Sequence, residues 1–254
     1  MLEKIEDSVY FQREGISNSF LTRFERSPAH AFIEIEKTKS MELGSLVHDL
    51  ILQFDIFDSK YIITPIDLQD SRKREYKEFS KEHEGKIIIK YDDFEAAKKV
   101  RDNIFNFDFG FKLGNVIDSS FCEIGCFTED DRYNIIRKSK MDVYIPEFNI
   151  IIDLKKTVNC MDFKKSIINY KYYRQDSWYS ENIFFERSEW PRFVFLTFET
   201  IPPYGVSAFE ISQEWKDYGK FENDETLLNY SLWNGEKTIY EPGIKILEKP
   251  AWMN

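Results

Sequence analysis

Cysteine is scarce in this chain, which has only Cys122, Cys126 and Cys160 among its 254 residues. An odd number of cysteines without CxxC spacing does not suit a disulfide framework, and it lacks the ligand spacing of a zinc site. Three cysteines also fall short of the set that holds a four-cysteine iron–sulfur cluster. We therefore expect three reduced, mostly buried thiols.

Long apolar stretches are missing as well. No uncharged run approaches the ~18 residues of a membrane span, and residues 1–20 carry charged side chains such as Glu3, Lys4 and Asp7 where a signal peptide has an apolar core. The sequence also lacks the G-x-x-x-x-G-K-[ST] motif of a helicase motor. These absences predict a cytoplasmic protein with no membrane partner and no motor domain.

Positive charge is in deficit, since 35 Lys and Arg stand against 45 Asp and Glu, for a net charge of −10. Affinity for nucleic-acid phosphates scales with the cations that replace counterions, so this composition argues against a protein that coats DNA. Any DNA contact must use a local basic surface. The candidate surfaces are residues 71–74 and the basic side chains between Lys155 and Arg174.

The order of sequence patterns favours one α/β domain over residues 1–254, because no internal repeat and no Pro/Ser-rich linker divides the chain. Residues 17–106 form a helical N-terminal part. Residues 121–211 supply a central mixed β-sheet and a long helix, and residues 212–254 form a tail that starts helical and ends irregularly. We expect helices on both sides of the sheet.

Local signals mark several helices in the N-terminal part. Ser27 followed by Pro28 is typical of a helix start, and Asp92 with Glu95 has the spacing of a capping box for a helix to about residue 106. Residues 41–52 predict a helix with an apolar stripe formed by Leu43, Leu46, Val47, Leu50 and Ile51. Gly44 and His48 lie one turn apart on its flank, where Gly44 is expected to leave space below His48.

Residues 121–155 alternate between apolar and polar side chains, with turn residues at 128–131 and 146–149, and predict three antiparallel strands. A four-residue loop at 146–149 sets Ile145 opposite Ile150 and therefore Asp142 opposite Asp153. Residues 163–186 predict a helix, and residues 192–200 and 206–211 predict two further strands. The antiparallel meander thus brings two acids together.

An acid-x-Lys tripeptide occurs six times, but only Asp153-Leu154-Lys155 directly follows an apolar run. The period of two in a strand puts Asp153 and Lys155 on one face. Facing Cβ atoms lie roughly 4.5–5.5 Å apart, and like charges at that distance are destabilising unless a cation lies between them. The pair with Asp142 therefore predicts a cation site, and the alternative is a surface hairpin with solvated charges.

Paired carboxylates without a Cys or His cluster suit Mg²⁺, which keeps several waters and binds through one or two carboxylates and a substrate phosphate. Such a site fits phosphodiester hydrolysis. The cation would activate a water molecule, while Lys155 would position that water and neutralise the developing negative charge.

Asp142 followed by Asp153-Leu154-Lys155 resembles the signature of the PD-(D/E)XK nuclease superfamily. The opening motif, Ser17-x-Ser19-x-Leu21 with Ser27-Pro28-Ala29-His30-Ala31, resembles phage-type exonuclease VIII (RecE-like) proteins. Two further motifs are similar to RecB-type nuclease domains: their upstream histidine helix has the counterpart Gly44-x-x-x-His48, and their Q-x-x-x-Y element has the counterpart Gln175-x-x-x-Tyr179. In family order these motifs span residues 17–179.

The resemblance implies a set of site residues. Asp142, Asp153, the Leu154 carbonyl and His48 would be metal ligands, and Lys155 the catalytic lysine. Glu123 would join through a water or a second metal. Mg²⁺ is the implied cofactor, with Mn²⁺ as a substitute.

The resemblance also places DNA on the predicted helix at 163–186. Gln175 and Tyr179 share one face of that helix and would contact the backbone or terminal base of the cleaved strand. Tyr170 and Arg174 complete the set of candidate DNA-binding residues.

The implied activity is that of an exodeoxyribonuclease, which degrades one strand of linear duplex DNA from its end in the 5′-to-3′ direction. The implied setting is phage or prophage recombination, with a single-strand annealing recombinase as partner and a homo-oligomeric ring as assembly. One alternative is a structure- or sequence-specific endonuclease on the same fold. Another is a catalytically silent DNA-binding protein, against which the intact Asp142, Asp153 and Lys155 argue.

Overall fold

The computed structural model describes residues 1–33, 39–240, 243–244 and 246–249, and the side chains of residues 39–43 lie outside the described set. The predictions for the Leu43 side chain and for the last residues of the tail therefore fall outside it too. The strands of the described part are β1 (Leu2–Lys4), β2 (Ile16–Ser17), β3 (Tyr61–Ile63), β4 (Ile87–Ile89), β5 (Cys122–Asp130), β6 (Ile135–Ile145), β7 (Ile150–Thr157), β8 (Arg192–Glu199) and β9 (Val206–Phe209). The helices are α1 (Asp7–Gln12), α2 (Asn18–Arg26), α3 (Pro28–Ala31), α4 (Lys39–Leu52), α5 (Phe57–Lys60), α6 (Arg74–Glu82), α7 (Tyr91–Asn106), α8 (Leu113–Val116), α9 (Phe163–Asn169), α10 (Tyr172–Arg187) and α11 (Gln213–Ser231), with 3₁₀ turns at Ser119–Phe121 and Cys160–Asp162.

A central sheet runs in the order β1-β5-β6-β7-β8-β9, and β2 pairs with β6. Strands β5, β6 and β7 form an antiparallel meander, β7 and β8 are parallel, and β8 and β9 are antiparallel. Strands β3 and β4 form a separate two-stranded sheet. The predicted α/β class, with a mixed sheet, an antiparallel meander and flanking helices, is confirmed.

The register of β6 and β7 follows the prediction, since Ile145 pairs with Ile150. Their ladder ends at the pair Val143–Ile152, one position before Asp142 and Asp153. Beyond that pair, β7 continues against β8 as far as Thr157, while β6 runs along β5. The two strands therefore diverge, and we call this point the fork.

Two apolar layers cover the sheet and fix the faces of β7. On one face, Ile152 and Leu154 pack in a core that includes Val47 and Leu50 of α4. On the other face, Ile151 packs in a core with residues of α9 and α10. Burial of each such side chain stabilises the fold by roughly 1.5–3 kcal/mol. Because successive strand residues alternate, Asp153 lies on the α10 side, as the period of two predicted.

The predicted helix over residues 163–186 is two helices, α9 and α10. Lys171 lies between them in the left-handed region, with φ of 53°, and its ammonium bonds to the Glu25 carboxylate at 2.7 Å. This conformation breaks the helix because the left-handed region interrupts the α-helical hydrogen-bond pattern. The break leaves Tyr170 on the surface, 65% exposed.

Of the other local predictions, the helix start at Ser27 is confirmed, and those for the start of α7 and for the turn after β5 differ from the structure. Ser27 caps α3, and Pro28 occupies its first turn, as expected. The capping box at Asp92 is wrong, since α7 begins at Tyr91 after Lys90, without a side-chain cap. The turn placed at residues 128–131 lies later, because β5 extends to Asp130.

The three cysteines are free and buried, as predicted. Burial raises the pKa of Cys122 and of Cys126 to about 12, so both thiols stay protonated. Within the described residues, no helix combines the length and apolar character needed to cross a bilayer.

Candidate active site

The fork joins the two predicted acids through the backbone. The Leu154 N–H donates a hydrogen bond of 2.7 Å to Asp142 Oδ2. The Asp142 carboxylate thus bonds to β7 two residues beyond Ile152 of the last strand pair, where β6 and β7 diverge. The Asp142 side chain on β6 is thereby fixed beside Asp153 on β7.

Asp153 is almost completely buried, with 3% exposure. Its Oδ1 accepts a 2.5 Å hydrogen bond from Gln175 Nε2 of α10, and its Oδ2 pairs with the Lys155 ammonium. Burial raises the pKa of Asp153 to about 6 even though Lys155 opposes the shift, and the Asp142 charge raises it further. Burial therefore disfavours the charged form of Asp153 more than the Lys155 ammonium favours it.

Lys155 lies next to Asp153 on the α10 side of β7. Burial lowers its pKa, but the charges of Asp153 and its other neighbours outweigh burial, so the pKa of Lys155 lies above its ordinary value. Its Nζ is 4.7 Å from the centre of the Tyr172 ring. Lys155 is therefore an ammonium ion at neutral pH, held between a carboxylate and an aromatic face.

His48 reaches the fork from the opposite face of the sheet. Its Nδ1 lies 3.9 Å from Asp142 Oδ2, and it is half-buried while Val47 beside it is fully buried. The expected role of Gly44 is wrong: a Cβ at Gly44 would lie 3.2 Å from Cδ of Lys156. Gly44 thus makes room for the Lys156 stem and not for His48.

The predicted metal ligands meet in pairs. Asp142 contacts Leu154 and His48, whereas Asp153 contacts Lys155 and Gln175. In the part of the chain that the structure describes, no three His, Cys, Asp or Glu side chains converge as a metal-binding group. Two carboxylates with one imidazole nevertheless fit a hard cation that keeps most of its waters. The role of the Leu154 carbonyl stays a prediction.

Glu123 does not join the acid pair. Its backbone is in the left-handed region, with φ of 59°, and its carboxylate pairs with the Lys140 ammonium. Lys140 also bonds to Asp7 Oδ1 at 2.6 Å. The structure thus brings Glu123 to a lysine, and its predicted role through a water or a second metal stays a prediction.

Among the predicted DNA-binding residues, Arg174 needs correction. Its guanidinium is fully buried and donates to Asn223 at 2.8 Å and to Thr226 at 3.0 Å, with an ion pair to Glu25. Arg174 therefore ties α10 to α11 and α2, and its side chain is not accessible to DNA.

The two predicted tyrosines differ in access. Tyr179 is half-buried with its ring 6.2 Å from Phe193, and burial holds its pKa well above the ordinary value. Tyr170 is exposed, with its ring 5.5 Å from Tyr172. Of the two, Tyr170 presents the freer aromatic face.

The sequence interpretation missed Lys140 and Tyr172. Lys140 precedes Asp142 by two residues on β6, so the strand period could have identified it as a neighbour of the acids. Tyr172 follows the helix break and contacts Lys155. No sequence pattern marked that break.

Comparison with known proteins agrees with this geometry. A family model described as a PDDEXK-like domain of unknown function (DUF3799) matches residues 17–238. The fold is similar to the crystal structure of a protein from Eubacterium rectale named as a proposed exonuclease, with a TM-score of 0.63, 16% identity, and coverage of 98% of this chain and 96% of that one. A comparison with curated proteins finds no match. Because the family model covers most of the chain and its expected acids meet at the fork, this protein belongs to the DUF3799 family of PDDEXK-like domains.

Proposed function

We propose that this protein is a divalent-metal-dependent nuclease that hydrolyses phosphodiester bonds in DNA. The observation that carries the proposal is the fork, where Asp142, Asp153 and Lys155 lie on adjoining strands of a PDDEXK-like sheet. Paired carboxylates with an adjacent ammonium form a site that can bind a cation and neutralise a phosphate.

The residues of the fork have distinct roles in this proposal. A bound Mg²⁺ would supply Lewis-acid catalysis and activate the attacking water. Lys155 would neutralise the negative charge that develops on the phosphate oxygens. Gln175 holds the Asp153 carboxylate by a hydrogen bond, so it acts as a positioning residue. His48 supports Asp142 from the α4 side.

The substrate in this proposal is a linear duplex DNA end, from which one strand is removed in the 5′-to-3′ direction. The motif order over residues 17–179 supports an exonuclease. The exposed Tyr170 beside Tyr172 offers an aromatic surface for a terminal base, because every base has a face that can stack. In phage or prophage recombination, the product would pass to a single-strand annealing recombinase, and a homo-oligomeric ring would hold the DNA.

The test is digestion of linear and covalently closed circular duplex DNA in Mg²⁺, Mn²⁺, Ca²⁺ or EDTA. We expect loss of the linear DNA alone, in Mg²⁺ or Mn²⁺ only, and separate 5′ and 3′ end labels report the polarity. Cleavage of the closed circle would instead support the alternative endonuclease. DNA binding without cleavage in any metal would support the catalytically silent protein.

A further inference from the structure

Helix α6, counted with the residue that precedes it, separates its charged side chains by sign. At about 100° per residue, its basic side chains lie within a single arc of about 100°, and its glutamates lie on the arc beside it. The basic arc, which we call the basic face, consists of the exposed residues Lys73, Arg74, Lys77 and Lys81. We propose that the basic face binds the phosphate backbone of duplex DNA. This inference rests on the proposed function and adds a second contact surface for the same substrate.

The packing of α6 does not require this arrangement of charge. All residues of the helix are described, and none of them is buried. Its less exposed side chains include Tyr76 and Phe79, and the Phe79 ring lies 4.3 Å from the ring of His83. These aromatic side chains lie on the arc opposite the basic face. The basic face is therefore directed away from the packed side of the helix.

The basic face lowers the stability of the isolated helix. Lys77 has Lys73 four residues before it and Lys81 four residues after it, and Arg74 three residues before it. Like charges four residues apart on a helix are destabilising by roughly 0.2–0.5 kcal/mol for each pair. An alternation of acids and bases would avoid that cost. A bound polyanion would compensate it, because each ammonium would then face a phosphate.

The ammonium groups of the basic face are available to a ligand. In the candidate basic surface at residues 71–74, Arg72 pairs with Asp70 at 2.9 Å, and Arg74 pairs with Glu78 at 2.7 Å. Among the residues that the structure describes, the three lysines of the basic face make no such ion pair. Phosphate binding by these lysines would release counterions from DNA, which favours association. The chain thus has a local basic surface despite its net charge of −10.

The spacing of the lysines matches that of DNA phosphates. Lys73 and Lys81 are eight residues apart, which is about 12 Å along a helix that rises about 1.5 Å per residue. The same length of duplex carries three to four phosphates on one strand, at about 3.4 Å each along the axis. The three lysines can therefore contact consecutive phosphates of one strand.

The segment that carries α6 is attached to helix α4. The Tyr61 hydroxyl of β3 donates a hydrogen bond to Asp49 of α4, the residue after His48. Strand β3 pairs with β4, and α6 connects these two strands. The basic face thus belongs to the α4 side of the central sheet, whereas Tyr170 lies beside α10 on the other side. The two surfaces would contact different parts of the DNA.

The experiment is fluorescence anisotropy of a labelled linear duplex with the full chain in Ca²⁺, from about 50 to 200 mM KCl. The variant is the triple change Lys73→Gln/Lys77→Gln/Lys81→Gln, and the matched control is Glu75→Gln/Glu78→Gln/Glu82→Gln on the acidic arc of the same helix. We expect the lysine variant to lose affinity about ten-fold or more at ~100 mM salt. The slope of log affinity against log salt should become shallower by about 2–3, since each lost phosphate contact contributes ~0.9. The control should keep the wild-type slope.

Wild-type affinity and slope in the folded lysine variant would overturn the inference and leave the proposed function intact. If the lysine variant does not fold, Lys77→Glu at the centre of the basic face provides the decision, and an unchanged affinity there would have the same meaning. Loss of binding to phosphatidylserine vesicles with unchanged duplex affinity would assign the face to a membrane surface and overturn the inference. A wild-type protein that binds no DNA would overturn the proposed function as well.

Discussion

Strand β6 contributes to two clusters of buried charge, and helix α10 contributes to both. At the fork, Asp142 of β6 lies near Asp153, which bonds to Gln175 of α10. Near the other end of β6, Arg137 pairs with Asp130 at 3.1 Å and with Glu181 of α10 at 2.7 Å. We call this second group the Arg137 cluster.

The two clusters differ in their supply of cations. Burial raises the pKa of Asp130, but hydrogen bonds and charges from Arg132 and Arg137 outweigh burial, so that pKa lies below its ordinary value. Among the described residues, the ammonium beside Asp153 is that of Lys155, and burial outweighs it, so the pKa of Asp153 is raised to about 6. In the Arg137 cluster, whose charges stabilise the fold, each buried carboxylate is paired with an arginine. At the fork, whose charges suit the binding of a metal ion and a phosphate, the acids are not fully neutralised.

The largest expected effect is at the fork. Lys155→Ala and Asp153→Asn should each lower the single-turnover rate on linear duplex DNA by on the order of 10⁴-fold, as when a group that acts in the chemical step is removed. Asp153→Asn should keep or raise the melting temperature, because it relieves repulsion from Asp142. Lys98→Ala, on the surface of α7, is the control. Near-wild-type digestion by a folded Lys155→Ala protein would contradict the assignment.

The Arg137 cluster should respond in the opposite way. Arg137→Met removes the cation from two buried carboxylates, Asp130 and Glu181, and should lower the free energy of unfolding by about 3–5 kcal/mol. Activity per folded molecule should stay near wild type. Urea denaturation measures the first quantity, and digestion by the folded fraction measures the second.

Arg192→Met provides a matched control for the Arg137 variant. Arg192 is half exposed and pairs with Glu210 at the surface, where an ion pair contributes at most about 1 kcal/mol. Equal losses of unfolding free energy in the two variants would show that the Arg137 cluster contributes no more to stability than a surface ion pair does.

Asp176 sharpens the comparison, because it is a buried acid outside the fork whose ion pair with Lys216 does not offset its burial. It is fully buried, its Oδ2 has no hydrogen-bond partner, and burial raises its pKa to about 6, against a partial offset from Lys216. Below pH 4 it is protonated in the folded and unfolded states. As pH rises from about 4 to 6, only the unfolded state loses this proton, so the contribution of Asp176 to stability falls by about 3 kcal/mol.

Asp176→Asn should therefore stabilise the protein at pH 7 by about 2–3 kcal/mol more than it does at pH 4. The measurement is urea denaturation of both proteins at the two pH values, with Asp217→Asn, an exposed acid on α11, as control. An equal change at both pH values would show that Asp176 is not held protonated.

The smallest expected effect concerns Tyr170. Tyr170→Ala should raise the DNA concentration for half-maximal rate about five-fold, near the lower end of the roughly 1–3 kcal/mol for stacking on one base. The melting temperature should not change, because the side chain is exposed. Tyr240→Ala, another exposed tyrosine, is the control, and an unchanged DNA dependence would remove Tyr170 from the DNA surface.

The sequence predicted those parts of the site that depend on local rules. A four-residue turn and the strand period of two placed Ile145 against Ile150 and so brought Asp142 to Asp153. The same period placed Leu154 in the core and Asp153 on the opposite face. These relations depend only on the sequence of the two strands and of the turn that joins them.

The errors arose where distant segments decide the environment. Arg174 looked like a free cation, but Glu25 and Asn223, far away in sequence, bury and bond it. The ion pair of Glu123 was likewise not foreseen, because the N-terminal segment holds its carbonyl and bonds to its partner Lys140. Burial and ion pairing of this kind depend on which segments pack together, and no local pattern records that.

The bond from the Leu154 N–H to Asp142 has a practical consequence for trapping the protein on intact DNA. An inactive variant for that purpose should lose the chemical step and keep the hydrogen bonds of the fold. Asp142→Ala would remove a ligand and also leave the Leu154 N–H without its acceptor at the fork, at a cost of about 1–3 kcal/mol for an unsatisfied buried donor. Asp153→Asn and Lys155→Ala leave that bond in place. A stable complex with uncut substrate is therefore better sought at Asp153 or Lys155 than at Asp142.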